Sequence, residues 1–482
     1  MKEVEDRKKQ DKVFLLVVSG ALFLTLIYFL FGAAQKELWF DEVAIIGFIS
    51  EGRTIRGILH YYLTIEASNL PLYAILLLPF YNLFPAKELW LLLPGICMVL
   101  FAIGILVKIA NQRIGRTAAY VVLTTGIIST TVINRMGLEL RAYSLMFLLS
   151  VLVLDRFLCA EEKPNFKNLI SLWICGSLLM YSHYFGCLCM ACLGFFSLLA
   201  LIRKKGSLRV VIALIGSAIA FIPWFVLTMS ETSVSIDSFW IEPPKMLQMP
   251  ETIGYLLGGN YFYSILFGVG FLWILYDAVK KKRFFSQQML LTAMTGLIIG
   301  GVFIYSRYIS PGGGLYENRY FLVLLPYVLL ILGYGIERVR QKRFFRIIMG
   351  IILLLGAVTG AHRCYQDTMQ QYDIYSASAQ YILEQNENLQ QDSLIIMASY
   401  GGVDEVANWG WYHYYLERRG ITHVAGVMTD CSGSIDQTVE ACADSIQRIY
   451  VFGDVDHASY SGTDYTIVDN EDLIKLTVYE RK

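Results

Sequence analysis

Long stretches without a charged residue, separated by short polar or basic connectors, set the rhythm of residues 1–361. The first, Val13 to Ala34, has 22 uncharged residues behind the mixed-charge start "MKEVEDRKKQDK". Later runs centre on 70–84, 89–107, 117–134, 142–158, 168–184, 185–202, 210–229, 255–276, 288–306, 318–336 and 344–361. A helix needs about 20 apolar residues to cross a bilayer, so the pattern predicts a polytopic α-helical membrane protein with about 11–13 transmembrane helices. The first run exceeds a secretory h-region of about 7–15 residues and reads as a retained helix, with a cleavage at "FGAA" as the competing reading. The run at 70–84 is short and carries Pro71 and Pro79, which leaves the crossing count through 70–107 open.

The pattern changes after Ala361. "DIYSASAQYILEQNENLQQ" and "DEVANWGWYHYYLERRG" read as helices, and "SLIIMAS", "THVAGVM" and "RIYVFGD" as strands. Residues 1–360 are therefore expected to form a membrane module and 361–482 a small extracytoplasmic α/β domain.

Composition agrees: the 482 residues are 56% hydrophobic and only 17% charged, which is not a soluble balance. Forty basic and forty acidic residues cancel, so net charge offers nothing to nucleic acid. Seven cysteines lie in or beside apolar runs and read as small buried residues, including the Cys187, Cys189, Cys192 cluster, which lacks histidine or charge support for a metal. Cys431 and Cys442 fall in the polar tail, where a disulfide is open but not deducible.

Basic connectors stay cytoplasmic, and here they are "KIANQRIGR", "RKKGSLR", "KKKR" and "ERVRQKRFFR". That assignment puts 134–141, 183–186, 230–250, 306–318 and the C-terminal tail outside. The basic N-terminus independently puts 35–69 outside, which needs an odd number of crossings between 70 and 107 where two runs are counted. Nearly all the unusual polar groups then share the outer face: Asp41 and Glu42 in "ELWFDEV", Glu139 and Arg141 in "NRMGLELRAYSL", His183 in "MYSHYFG", and Arg307, Glu317 and Arg319 around "SRYISPGGGLYENRYFLVLLP".

Each group has a structural reading beside the functional one. Asp41 suits an N-cap with Glu42 in the first turn, and Leu38-Trp39-Phe40 suits an interfacial anchor. Arg135 and Glu139, four apart, suit a surface ion pair, which leaves Arg141 unexplained. His183 suits an interfacial histidine satisfied by a neighbouring helix. Asn318 suits an N-cap that places Arg319 in a first helical turn, where a cation opposes the dipole unless an anion, or Glu317, relieves it. Free N–H groups with a guanidinium form a phosphate site. Together these residues could transfer a group from a lipid phosphate: a base takes the acceptor proton, and arginines or a metal hold the departing charge.

The same stretches resemble the multi-spanning glycosyltransferases that use polyprenyl-phosphate sugars, the protein O-mannosyltransferase and aminoarabinose-transferase relatives. "WFDEVAI" resembles their Asp-Glu first-loop motif and "NLPLYAILLLPFYNLF" their Pro-Leu-Tyr segment. "ELRAYSLMFLLSVL" is similar to their Glu-x-Arg-x-Tyr-x-Leu segment, "YSHYFG" to a Thr-His-Tyr-like segment with Ser182 in place of threonine, and "ENRYFLVLLP" to an Arg-Tyr…Pro segment. The likeness covers about residues 13–340 and leaves out the tail.

The resemblance implies a GT-C-type membrane fold with the active site at the extracytoplasmic face of the cell membrane. It implies an inverting transfer of a monosaccharide, mannose-like or another hexose or pentose, from a polyprenyl-phosphate donor to an acceptor hydroxyl not identified by the sequence. Asp41 matches the general base or an acceptor ligand, and Glu42 its support. Arg319, Arg141 and Tyr320 match donor-phosphate positions, and His183, Glu139, Tyr143 and Glu317 supporting ones. Asp41 and Glu42 would suit Mg²⁺ or Mn²⁺ as hard oxygen ligands, and metal use stays open. The alternative is a transporter or flippase for a lipid-linked or anionic substrate, which would favour midplane charges and internal repeats. No repeat is visible here.

Overall fold

The computed structural model describes residues 2–64, 69–84, 87–229, 241–310, 314–339, 343–369, 374–384, 393–397, 410–421, 426–428, 445–452, 465–471 and 476–482. The chain divides into two compact units. The first comprises Met1–Ala34, Tyr62–Tyr73 and Leu92–Met369; the second comprises Gln35–Tyr61, Ala74–Leu91 and Gln370–Lys482. The second unit thus takes in the segment that carries Asp41 and Glu42 as well as the chain after Met369.

Every apolar run becomes helix. In order these are α1 (Lys2–Gln35), α2 (Phe40–Gly52), α3 (Ile55–Thr64), α4 (Leu72–Leu83), α5 (Glu88–Arg113), α6 (Arg116–Ile127), α7 (Tyr143–Glu162), α8 (Phe166–Ser182) and α9 (Tyr184–Ile202). They continue as α10 (Leu208–Met229), α11 (Gln248–Leu256), α12 (Tyr261–Lys281), α13 (Gln287–Ile304), α14 (Leu325–Val339), α15 (Arg343–Met369) and α16 (Ile374–Glu384). Among the described residues 9 helical segments are long and apolar enough to span a membrane, or 10 with α6 and the π-helical turn Thr131–Gly137, bent by 60°, as one broken span. α8, at 17 residues, falls just short of that length. α4 has 12 residues, about 18 Å at 1.5 Å per residue, well under a hydrocarbon core of about 30 Å.

Within the first unit, burial separates central helices from lipid-facing ones. The span Asn318–Arg338 is 89% buried over its most apolar stretch, whereas the α1 span is 17% buried. Apolar contact with lipid provides no drive to associate, so close approach depends on small residues. A Cβ on Gly335 of α14 would lie 2.5 Å from the Gly270 Cα of α12, and one on Gly333 would lie 3.1 Å from the Ala118 Cβ of α6. These backbones approach closely because glycine or alanine stands at each crossing.

Hydroxyls in the break after α6 reach across to backbone carbonyls at the end of α11. Thr130 donates to the Gly258 carbonyl at 3.2 Å and Thr131 to that of Tyr255. Asn134 in the turn accepts from Thr368 of α15 at 3.3 Å, and Thr368 shares a 2.9 Å hydrogen bond with Tyr28 of α1. The turn that precedes Glu139 is thus tied to two helices distant in sequence.

In the second unit, five strands form one sheet in the order β2-β1-β3-β5-β4, with β1 (Ser393–Met397), β2 (Gly426–Met428), β3 (Arg448–Phe452), β4 (Tyr465–Glu471) and β5 (Leu476–Arg481). β1 pairs parallel with β2 and β3, while β5 pairs antiparallel with β3 and β4. The three expected strands are β1, β2 and β3. The β4–β5 pair is not among the strands the sequence pattern assigned. Of the expected helix across 404–420, the described part holds a π-helical turn, Tyr412–Leu416, and a 3-10 turn, Glu417–Arg419, stopped by Gly420 at φ 95. Cys431 and Cys442 lie outside the described residues. Of the other seven cysteines only Cys189 and Cys364 are buried as expected; Cys159, Cys175, Cys187 and Cys192 are half-buried, and Cys97 is exposed on a helix face that also exposes Phe101.

Candidate active site

The candidate residues fall into two groups, one in each unit. In the first unit, the segment between the π-helical turn and α7 carries Glu139, Arg141 and Tyr143, the α8–α9 junction carries His183, and the 3-10 turn Asn318–Leu324 ahead of α14 carries Arg319 and Tyr320.

These side chains converge on His183. Its ring centroid lies 6.1 Å from that of Tyr143, 5.3 Å from that of Tyr320 and 5.8 Å from that of Phe185. The Arg141 guanidinium stands 6.0 Å from the Tyr143 ring centroid and that of Arg319 stands 5.9 Å from the Tyr320 ring centroid. The α9 amide of Phe185 donates to His183 Nδ1 at 3.1 Å. A nitrogen that accepts an N–H carries no proton, so the imidazole is neutral with its hydrogen on Nε2. Burial, then the Arg141 and Arg319 charges, lower its pKa to about 3. His183 Nδ1 is thus satisfied by its own helix α9 rather than by a neighbouring one.

Glu139 also departs from the surface ion pair expected of it. Arg135 does reach it, at 3.5 Å, but the Glu139 side chain is 2% exposed and lies beyond the end of the π-helical turn, not at a helix start. Tyr255 of α11, which nothing in the sequence singles out, joins this group. Burial raises its phenol pKa, Arg135 opposes the rise, and Glu139, Tyr143 and Glu317 add to it. The Tyr143 hydroxyl is buried and has no hydrogen-bond partner among the described residues.

Arg319 sits in a first turn, as expected, but Asn318 does not cap it. The turn is 3-10, with Glu317 at the N-cap position and no side-chain cap bond. The Asn318 Oδ1 instead accepts from the Thr252 hydroxyl at 2.8 Å. Arg307 is turned away, donating to the Pro244 carbonyl at 2.7 Å.

In the second unit, Asp41 is not an N-cap, because α2 begins at Phe40 with Trp39 in the cap position. Glu42 reaches back to accept from the Trp39 amide at 3.0 Å, which satisfies one of the orphan donors of the helix start. Its fully buried carboxylate also pairs with Lys36 at 2.9 Å. Successive helical residues do not face one another, so Asp41 and Glu42 diverge. The pair does not fit a joint divalent site: Glu42 already has its cation. Among the described residues no group of three or more His, Cys, Asp or Glu side chains gathers.

The segment Gly410–Gly420 packs on the helices of this unit. A Cβ on Gly410 would lie 2.1 Å from the Val43 carbonyl oxygen of α2. Arg418 donates to the Tyr81 and Phe84 carbonyls at the end of α4, at 2.8 and 2.7 Å, and lies 4.3 Å from the Tyr81 ring centroid.

No protein-family model matches the chain, and no curated protein matches it either. Solved structures do. ArnT from Cupriavidus metallidurans superposes with a TM-score of 0.61 over 98% of both chains at 11% identity. The chain shares the ArnT fold. ArnT bound to undecaprenyl phosphate gives a TM-score of 0.60 over the same shares at 11% identity. The Archaeoglobus fulgidus oligosaccharyltransferase gives 0.50 at 10% identity, over 89% of this chain and 69% of that one. The ArnT likeness extends past residue 340, where the motif resemblance stops, and so takes in the tail.

Proposed function

We propose that the chain is an inverting glycosyltransferase that moves a monosaccharide, mannose-like or another hexose or pentose, from a polyprenyl phosphate to an acceptor hydroxyl. The observation that carries this reading is the pair of guanidinium groups, Arg141 and Arg319, both acting on the neutral His183, in a fold shared with a protein that binds undecaprenyl phosphate.

The acceptor oxygen attacks the anomeric carbon from the face opposite the phosphate, and the bond from that carbon to the phosphate oxygen breaks. The acceptor proton passes to the Asp41 carboxylate, and the released lipid phosphate keeps the bond electrons. Arg141 and Arg319 hold that growing negative charge, as preorganised cations do best where it develops. Glu42, with Lys36, fixes the start of α2 rather than a metal. A divalent ion at this loop would draw on Asp41 and not on Glu42.

The outer face is the expected location. With a cytoplasmic N-terminus and α4 too short to cross, α5 alone returns the chain to the basic connector at 108–116. The crossings then alternate so that His183, Arg319 and the tail all lie outside. Membranes carrying the protein, incubated with radiolabelled polyprenyl-phosphate sugars, should transfer label to an endogenous acceptor. Absence of transfer with hexosyl and pentosyl donors alike would reject the reading.

A further inference from the structure

Two nitrogens of one ring have different circumstances in the first unit. His183 Nδ1 is committed to the Phe185 amide, while Nε2 has no hydrogen-bond partner among the described residues. The ring is packed among Tyr143, Phe185 and Tyr320. The charged groups near it are Arg141 and Arg319, so the surroundings already offer positive charge and a third cation would be repelled. An N–H in the field of two guanidinium groups suits an anionic oxygen, since all three are donors and none competes for the role of acceptor.

From this geometry we infer that His183 is a neutral hydrogen-bond donor to the lipid-phosphate oxygen, acting through Nε2–H, with the α9 amide holding it in the competent tautomer. The inference rests on the lipid-phosphate reading above and adds the atom and protonation state. The helix does more than support the residue: because an amide proton occupies Nδ1, the remaining proton can only sit on Nε2. The cap therefore selects the donor.

The two roles of the ring can be separated by substitution. In His183→Asn the amide oxygen stands where Nδ1 stood, and asparagine is a good N-cap, so the cap is kept and the distal donor is lost. In His183→Gln the amide reaches the Nε2 position and the cap is lost. The full-length protein in nanodiscs would be titrated with undecaprenyl phosphate, with size-exclusion profile and thermal unfolding followed in parallel. Wild type should bind, and His183→Asn should fold normally yet bind about 10- to 100-fold more weakly, the span for a hydrogen bond to a charged oxygen. His183→Gln should be less stable yet retain more affinity than His183→Asn. If His183→Asn binds as tightly as wild type, or the affinity order of the two variants is reversed, the inference is overturned and the lipid-phosphate reading stands. If wild type itself fails to bind, both fall.

Discussion

The Lys36 ammonium lies 2.9 Å from the Glu42 carboxylate, with 9% and 0% of the two side chains exposed. Removing one partner of a buried pair leaves an uncompensated charge and costs about 3–5 kcal/mol. Lys36→Met should therefore lower the unfolding temperature sharply, and Lys36→Met with Glu42→Gln should recover much of the loss. A double variant no more stable than the single one would show that the pair does not hold this loop.

Arg418 closes the end of α4 with two hydrogen bonds and a cation over the Tyr81 ring. Arg418→Ala should destabilise the protein by about 3–6 kcal/mol, the range for two hydrogen bonds from a charged donor. Arg418→Lys should restore less than half, because an ammonium lacks the planar fork that reaches both carbonyls while stacking. Equal stability of the lysine variant and wild type, by denaturant titration in detergent, would refute this.

Gly410 offers a steric test. A Cβ there would meet backbone of α2, 2.1 Å from the Val43 oxygen and 2.7 Å from the Gly47 nitrogen. Gly410→Ala should cost about 1–3 kcal/mol, as overpacking does. At Gly194 of α9 nothing lies within 4 Å, so Gly194→Ala should leave stability unchanged or raise it by up to about 1 kcal/mol. Matching thermal shifts for the two variants would contradict the packing described.

His183 gives a signed pH dependence. With its pKa lowered to about 3 in the folded protein and near 6.5 when unfolded, the unfolded chain binds the extra proton first. The contribution to stability is complete above about pH 6.5 and falls by about 1.4 kcal/mol per pH unit as acid is added, until about pH 3. Wild type should therefore lose stability relative to His183→Gln between pH 6.5 and 4. A difference that stays constant over that window, followed by thermal unfolding, would show that the ring already carries its proton.

The spans were legible because lipid demands apolar residues over a fixed length, so every uncharged run became helix. What the sequence hid was local and polar. Asp41 and Asn318 have the right chemistry for N-caps, but α2 starts one residue earlier than Asp41, and Thr252 captures the Asn318 oxygen. Tyr255 sits in an uncharged stretch that gives no hint of Arg135 and Glu139 beside it. The ring of His183 looked like a generic interfacial histidine, because its cap bond to Phe185 depends on where α9 begins. Lys36, one residue past α1 and directly beside Glu37, gave no sign that its partner is Glu42, because the pairing depends on the turn that brings Glu42 back to it.

The central claim is transfer from a lipid phosphate that uses Asp41 and Arg319. Its most direct test measures labelled sugar passed from a polyprenyl-phosphate donor by membranes carrying wild type, Asp41→Asn or Arg319→Ala. Wild type should transfer label, Asp41→Asn should lose about 100-fold or more of the rate, as loss of a general base does, and Arg319→Ala should bind and turn over the donor poorly. Transfer at the wild-type rate by both variants would contradict the account.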